Sequence, residues 1–162
     1  MGEERRVLEA DGHVTSAEDL LLGVTVADCV PVFLVAADGK AVGVLHAGWR
    51  GAAAGVLEEG LRSLQSETGC DPSDFHLHLG PAICGDCYEV GPEVHRALGV
   101  PEPNSPTPID LRAILATRAL GLGFSKDRVT VSTWCTRCGA SPFFSHRRGD
   151  LGRQVGFIGI RP

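Results

Sequence analysis

Residues 42–51 read Val-Gly-Val-Leu-His-Ala-Gly-Trp-Arg-Gly, an apolar run that ends in a histidine and passes through a glycine-rich turn into a helix start. A strand, a tight turn and a helix N-terminus in that order are what α/β proteins use to present a reactive side chain beside an anion site. His46 stands at the strand end, Gly48 and Gly51 let the backbone approach a ligand, and Arg50 adds a planar fork suited to phosphate or carboxylate. The competing reading is a strand-ending histidine hydrogen-bonded into the core.

Outward from this segment the hydrophobic period switches repeatedly between two and 3.6, the pattern of a mixed α and β structure. Leu20 to Val26 and Val32 to Ala36 read as buried strands, and Asp38-Gly39 is a hairpin turn into a strand over Ala41 to His46. Ala52 to Leu64 places Val56, Leu57, Leu61 and Leu64 on one helical face before the break at Gly69-Cys70-Asp71-Pro72. Phe75, Leu77 and Leu79 alternate with His76 and His78, which puts both histidines on one polar face; they have chelating spacing, but a half-exposed strand explains them more simply. Asp110 is an N-cap for a helix over Leu111 to Leu120, and the proline-rich run Val100 to Pro108 before it is a loop. Arg128 to Thr133 and Gln154 to Ile160 are closing strands, with a cysteine- and arginine-rich connection between them.

With 162 residues and 43% hydrophobic content the chain is expected to build one domain with its own core. A net charge of -5 with scattered basic residues argues against a nucleic-acid footprint. The N-terminus lacks an apolar leader and no run is long enough to span a membrane, so the expectation is a cytoplasmic protein that contacts neither nucleic acid nor membrane. Six cysteines in such a setting favour free, metal-bound or catalytic thiols over disulfides. Cys84-x-x-Cys87 and Cys135-x-x-Cys138 together make a four-thiolate zinc signal, yet such ribbons normally serve domains too small to make a core. A thioredoxin-like motif fits less well, because neither pair opens the helix of a βαβ unit.

The strings TVADCVPVFL, VLHAGWRGAAAGVLEEGL, HLGPAICGDCYEVGPEV, IDLRAIL and CTRCGASPFFSHRRGDLGRQVGFI, in that order, resemble the family known as multicopper polyphenol oxidase or laccase-like and also described as purine nucleoside phosphorylases. The likeness runs from about Asp11 to the C-terminus and lacks the family's N-terminal part. It implies an α+β fold of layered α/β/β/α type with mixed sheets, shared with cysteine-hydrolase-like bacterial toxins. It implies phosphorolysis of adenosine, inosine, guanosine or methylthioadenosine, with an adenosine deaminase activity alongside, and purine nucleoside and phosphate as the molecules bound. One zinc or copper ion is implied on a His, a Cys and a second His. His46 and Cys87 match the first two, whereas Pro108 stands at the third; the site is then incomplete, completed by His146 or Cys84, or absent.

On this reading His46, Cys87, Asp28 and Arg50 carry the chemistry, and Gly48, Arg50, Gly51, Arg147 and Arg148 bind phosphate or substrate. Asp28 is placed to orient a ligand or His46, or simply to cap a strand turn, and Cys29 reads as a small core residue. The alternatives are a laccase-like oxidase, a cysteine-dependent hydrolase using Cys87 and His46, and a non-enzymatic zinc-binding domain. Six histidines are few for several copper centres, which disfavours the first.

Overall fold

The structure is a computed structural model that describes residues 10–161. Its centre is β3 (Val30–Ala36), paired antiparallel on one side with β4 (Val42–Ala47) through the Asp38-Gly39 turn and on the other with β5 (Phe75–Leu79). β1 (Gly12–Thr15) extends the sheet beyond β4, and β8 (Val129–Val131) joins β5 in parallel, which gives five strands in the order β1-β4-β3-β5-β8. A separate ribbon of β2 (Leu21–Val26) and β9 (Gln154–Gly159) pairs antiparallel over six residues.

β3 reads as an almost unbroken apolar run because both its faces are covered. On one face lie α1 (Trp49–Ala53), α2 (Val56–Thr68), α3 (Pro92–Leu98) and α4 (Leu111–Gly121), which bury Leu57, Leu61, Leu64, Val94 and Leu115 against Val32, Leu34, Phe75, Leu77 and Leu79. Each fully buried side chain of this size stabilises the fold by about 1.5–3 kcal/mol. On the other face the ribbon seals a smaller core of Leu22, Val24, Val26, Val42 and Val44, joined by Phe33 and Ile158.

The layering is therefore helices, five-stranded sheet, two-stranded ribbon, and among the described residues no fourth, helical layer covers the ribbon. Its outer side leaves Leu21, Val155 and Phe157 exposed, so β2 alternates exposed and buried positions instead of being buried throughout. The mixed α and β character holds.

Three further departures matter for the site. The single helix expected from Ala52 onward is broken at Ala54-Gly55, where Gly55 has φ +85°, so the turn after His46 leads into a helix of only five residues. The proline-rich loop ends in β7 (Thr107–Pro108), which pairs with β6 (Glu89–Val90) and leaves Pro108 exposed. Short α3, β1 and this small ribbon gave no periodicity to read. Asp110, as expected, caps α4 by accepting from the backbone N–H of Arg112 and Ala113. Among the described residues no helix is long and apolar enough to cross a membrane.

Candidate functional site

Three connections meet where the sheet's layers end: the β2–β3 turn, the loop after β5 (80–91) and the long connection from β8 to β9 (132–153). Asp28 ties them together. It occupies the first connection at φ +81°, a left-handed conformation that aspartate tolerates better than most residues, and is only 6% exposed. Its Oδ1 accepts from the Thr136 hydroxyl at 2.6 Å, its Oδ2 from the Arg147 backbone N–H at 2.7 Å, and its carbonyl from the Ile83 N–H at 3.0 Å. A buried carboxylate so occupied is a brace. Of the two roles the sequence offers it, orienting a ligand or His46 and capping a strand turn, the hydrogen bonds of its two oxygens favour the second, while its side chain also lines the neighbouring cavity.

The brace frames a cavity of 290 Å³ whose polar lining includes Asp28, Cys29, Arg50, Tyr88, His146 and Arg147. Adjoining it is a second cavity of 280 Å³ lined by Asp11, Cys29, His46, Gly48, Trp49 and Arg50. Together they fall within the roughly 300–1,000 Å³ typical of small-molecule sites. Two guanidiniums face this space from opposite ends of the chain. Arg50 lies 4.3 Å from the centre of the Trp49 ring, and Arg147 lies 4.9 Å from the Tyr88 ring while donating to the Glu89 carbonyl at 2.8 Å. Burial, and then the nearby Cys29, pushes the Tyr88 phenol up, which keeps it neutral as a hydrogen-bond donor. A larger groove of 480 Å³ between β1 and α2 is less suited to an anion, since Asp11, Glu58 and Glu59 line it.

His46 sits half-buried at the end of β4, with Nδ1 3.5 Å from Asp11 Oδ1 and its backbone N–H donating to the Asp11 carbonyl at 2.6 Å. Cys29 is its other neighbour. A methyl group on Gly48 would lie 3.0 Å from Cys29 Sγ and 3.9 Å from His46 Nε2, so glycine is what lets the helix start close on both side chains. Burial, followed by Asp28 and Asp11, raises the Cys29 thiol. The thiol read from sequence as core packing therefore opens onto the cavity; the signal was the Asp28-Cys29 pair at the end of a strand beside the His46 strand, visible only once β3 and β4 are known to be neighbours.

Cys87 has other sulfurs for neighbours. Among the described residues the one group of three or more candidate ligands that converge is Cys84, Cys87, Cys135 and Cys138, whose sulfurs lie within 4.8 Å of one another; His46 and His146 are not in it. Burial by itself would raise the Cys135 thiol, but the backbone N–H groups of Cys138, Cys84 and Arg137 outweigh it and bring it down to about 6. Cys138 is pushed up to about 12 by hydrogen bonds with Cys135, Cys84 and Cys87.

The expected residues thus divide. Arg50, Gly48, Arg147 and His146 share the first cavity, while His46, Arg50, Gly48 and Gly51 share the second. Cys84 and Cys87 belong to the sulfur cluster instead of pairing with His46. Arg148 is occupied: its guanidinium donates to Asp150 Oδ2 and to the carbonyls of Thr136 and Phe143, holding its own loop. His76 and His78 lie on the exposed face of β5, where His78 Nδ1 meets Thr130 Oγ1 at 2.9 Å. Trp49 and Tyr88 were missed, because an aromatic wall has no sequence signature apart from its arginine partner.

Comparison with known proteins places this geometry. A family model described as multi-copper polyphenol oxidoreductase laccase matches residues 1–161. Purine nucleoside phosphorylase YlmD of Geobacillus stearothermophilus is 37% identical over 164 residues, covering 93% of this chain and 60% of that protein. Adenosine deaminase RL5 from an unknown prokaryotic organism is 34% identical over 174 residues, covering 98% and 64%. The crystal structure of YlmD from Geobacillus stearothermophilus superposes with a TM-score of 0.87 at 35% identity, covering 95% of this chain and 62% of that one. The chain spans about 60% of the length of these relatives. From the order of its motifs, its mixed α and β layers and these matches, the chain belongs to the multi-copper polyphenol oxidoreductase laccase family, whose curated relatives include purine nucleoside phosphorylases.

Proposed function

We propose that the chain carries the site of a purine nucleoside phosphorylase, cleaving adenosine, inosine, guanosine or methylthioadenosine with phosphate. The observation that carries this reading is the convergence of Arg50 and Arg147 on adjoining cavities, each guanidinium laid over an aromatic ring. Between two fixed cations a phosphate is held and aimed, while the Trp49 and Tyr88 rings offer faces on which a purine can stack. A phosphate oxygen attacks ribose C1′, the C1′–N bond breaks with its electron pair passing to the purine, and a proton satisfies the leaving base. His46, oriented by Asp11, is the group placed to deliver that proton, and Tyr88 is a second donor to the departing base. The products are ribose 1-phosphate and the free purine.

The resemblance implies one catalytic zinc or copper ion. For it His46 and Cys29 line one cavity with Asp11, but among the described residues these three do not converge as a ligand group, so the steps above use the chain's own groups. Six free thiols suit a reducing compartment such as the cytoplasm. Among the described residues no converging group of three or more ligands contains a histidine, which leaves laccase-type copper centres without support. A cysteine-dependent hydrolase draws on one observation, the run from Cys29 to His46 to Asp11, but activated nucleophilic thiols have lowered pKa values and that of Cys29 is raised. Adenosine deamination, the activity named for RL5, uses water in place of phosphate and is separated by the same assay.

That assay is release of hypoxanthine from inosine, and of adenine from adenosine, with and without phosphate. Phosphate-dependent base release with stoichiometric ribose 1-phosphate is the expected result. Ammonia release independent of phosphate, or no turnover of any nucleoside, would overturn the reading.

A further inference from the structure

We propose that Cys84, Cys87, Cys135 and Cys138 bind one zinc ion as a closed tetrathiolate site that staples together the two loops walling the cavity. This stands apart from the catalytic reading, which uses none of these sulfurs.

The fit is geometric. Four sulfurs at about 2.3 Å from a tetrahedral zinc lie about 3.8 Å apart. Here all four lie within 4.8 Å of one another, and Cys84 Sγ and Cys138 Sγ are 3.6 Å apart, close to a tetrahedral edge and far beyond a sulfur–sulfur bond. The backbone is arranged for thiolate. The N–H groups of Cys84, Arg137 and Cys138 all point to Cys135 Sγ, at 3.3, 3.3 and 3.4 Å. A neutral thiol is a weak acceptor, so three donors on one sulfur suit an anion, and four sulfurs this close suit a shared cation. Four thiolates select zinc or iron over the hard cations, and a full set of four protein ligands is that of a structural site.

The loops are brought together by the backbone as well as by the sulfurs. Ala82 and Cys135 form a parallel bridge, with the Ala82 N–H donating to the Trp134 carbonyl and the Thr136 N–H to the Ala82 carbonyl. Arg112, buried on α4, donates to the carbonyls of Ser132 and Trp134 at 2.5 and 2.9 Å, and Arg137 donates to the Cys87 carbonyl at 3.2 Å. A chain that makes its own core has no need of zinc to fold as a whole. The need is local: between Val131 and Gln154 the chain forms neither helix nor extended strand, yet it must present Arg147 opposite Tyr88, which directly follows Cys87. An ordered connection this long requires anchors of its own.

The test uses the whole chain, purified under reducing conditions without chelator. Metal analysis is expected to give zinc, and replacement by cobalt(II) an intense thiolate-to-metal charge-transfer band with the visible bands of tetrahedral cobalt. Alkylation of the zinc-loaded protein is expected to spare Cys84, Cys87, Cys135 and Cys138, and a chelator should expose them. Cys84→Ser and Cys135→Ser should each weaken zinc binding by more than the 10–100-fold typical of losing an outer-shell partner. His46→Ala should keep the tetrathiolate cobalt spectrum. If a serine variant does not fold, the spectrum and protection pattern of the unchanged chain still decide. Absence of bound metal, bound iron in place of zinc, a cobalt spectrum without thiolate bands, a Cys84–Cys138 disulfide, or loss of the thiolate spectrum on His46→Ala would each overturn the proposal. Nucleoside turnover enters none of these readouts, so a failed phosphorylase assay leaves the result intact.

Discussion

Cys29, which follows Asp28 in the chain, and the cluster of Cys84, Cys87, Cys135 and Cys138, whose loops Asp28 ties down through Ile83 and Thr136, put the same side chain to opposite electrostatic use. Around Cys29 burial comes first and two carboxylates add to it, so the thiol stays protonated beside His46. Around Cys135 three backbone N–H groups overcome the cost of burial and bring the thiol down to about 6. A cysteine becomes a ligand or a nucleophile through the dipoles aimed at it. The half-exposed loop, where amide groups are not consumed by a sheet, can aim them; the strand end beside acidic groups cannot.

The comparison is broken most severely at the element both sides share. Asp28→Ala strands the Thr136 hydroxyl and the Arg147 N–H and leaves alanine at φ +81°, so a loss of about 3–5 kcal/mol is expected in urea denaturation. Asp28→Asn, which keeps an acceptor and tolerates that φ, should recover most of it; equal losses in both would show that the carboxylate geometry does not hold the loops.

A pH profile of alkylation sharpens the contrast next. In chelator-treated protein, Cys135, titrating near 6, should react at a rate that levels off above about pH 7. Cys29, raised above its ordinary value of 9.0, should speed up about tenfold per pH unit between 7 and 9, because its thiolate fraction is still growing. Mass-spectrometric mapping of the two sites checks this, and parallel profiles would refute it.

Arg147 and Arg148 form a finer contrast between site and scaffold. Arg147→Ala should raise the phosphate KM by about 10–100-fold, the effect of losing a charge-assisted contact of about 1.5–3 kcal/mol. Arg148→Ala should lower the denaturation midpoint, since it frees the Thr136 and Phe143 carbonyls, and change the phosphate KM far less. Steady-state kinetics and melting curves on both variants decide between them. The smallest effect is expected at Gly139, which follows Cys138 at φ +61° with open space around its Cα. Gly139→Ala should cost about 1 kcal/mol through backbone strain, seen as a small shift in thermal midpoint and faster zinc release to a chelator.

The amino-acid sequence determined the elements whose signals are local. The alternation of Phe75, Leu77 and Leu79 required a strand with one buried face, Asp110 required a helix start, and Gly69 required a helix end, because each depends on backbone geometry within a few residues. Motif order was legible too, and it led to the family. The grouping of the thiols was not. The two Cys-x-x-Cys pairs could be counted, but nothing local says that residue 135 bridges to residue 82, so Cys87 was read together with His46 while its sulfur converges with those of Cys84, Cys135 and Cys138. Asp28 and Arg148 likewise read as functional, since a buried partner more than a few residues away leaves no periodic trace. Only the pairing of β3 with β4 and β5, and the folding of the long β8–β9 connection over the result, decided which polar atoms face the cavity and which face each other. Local backbone preference is written into neighbouring residues; satisfaction of buried polar groups is settled by contacts across the whole chain.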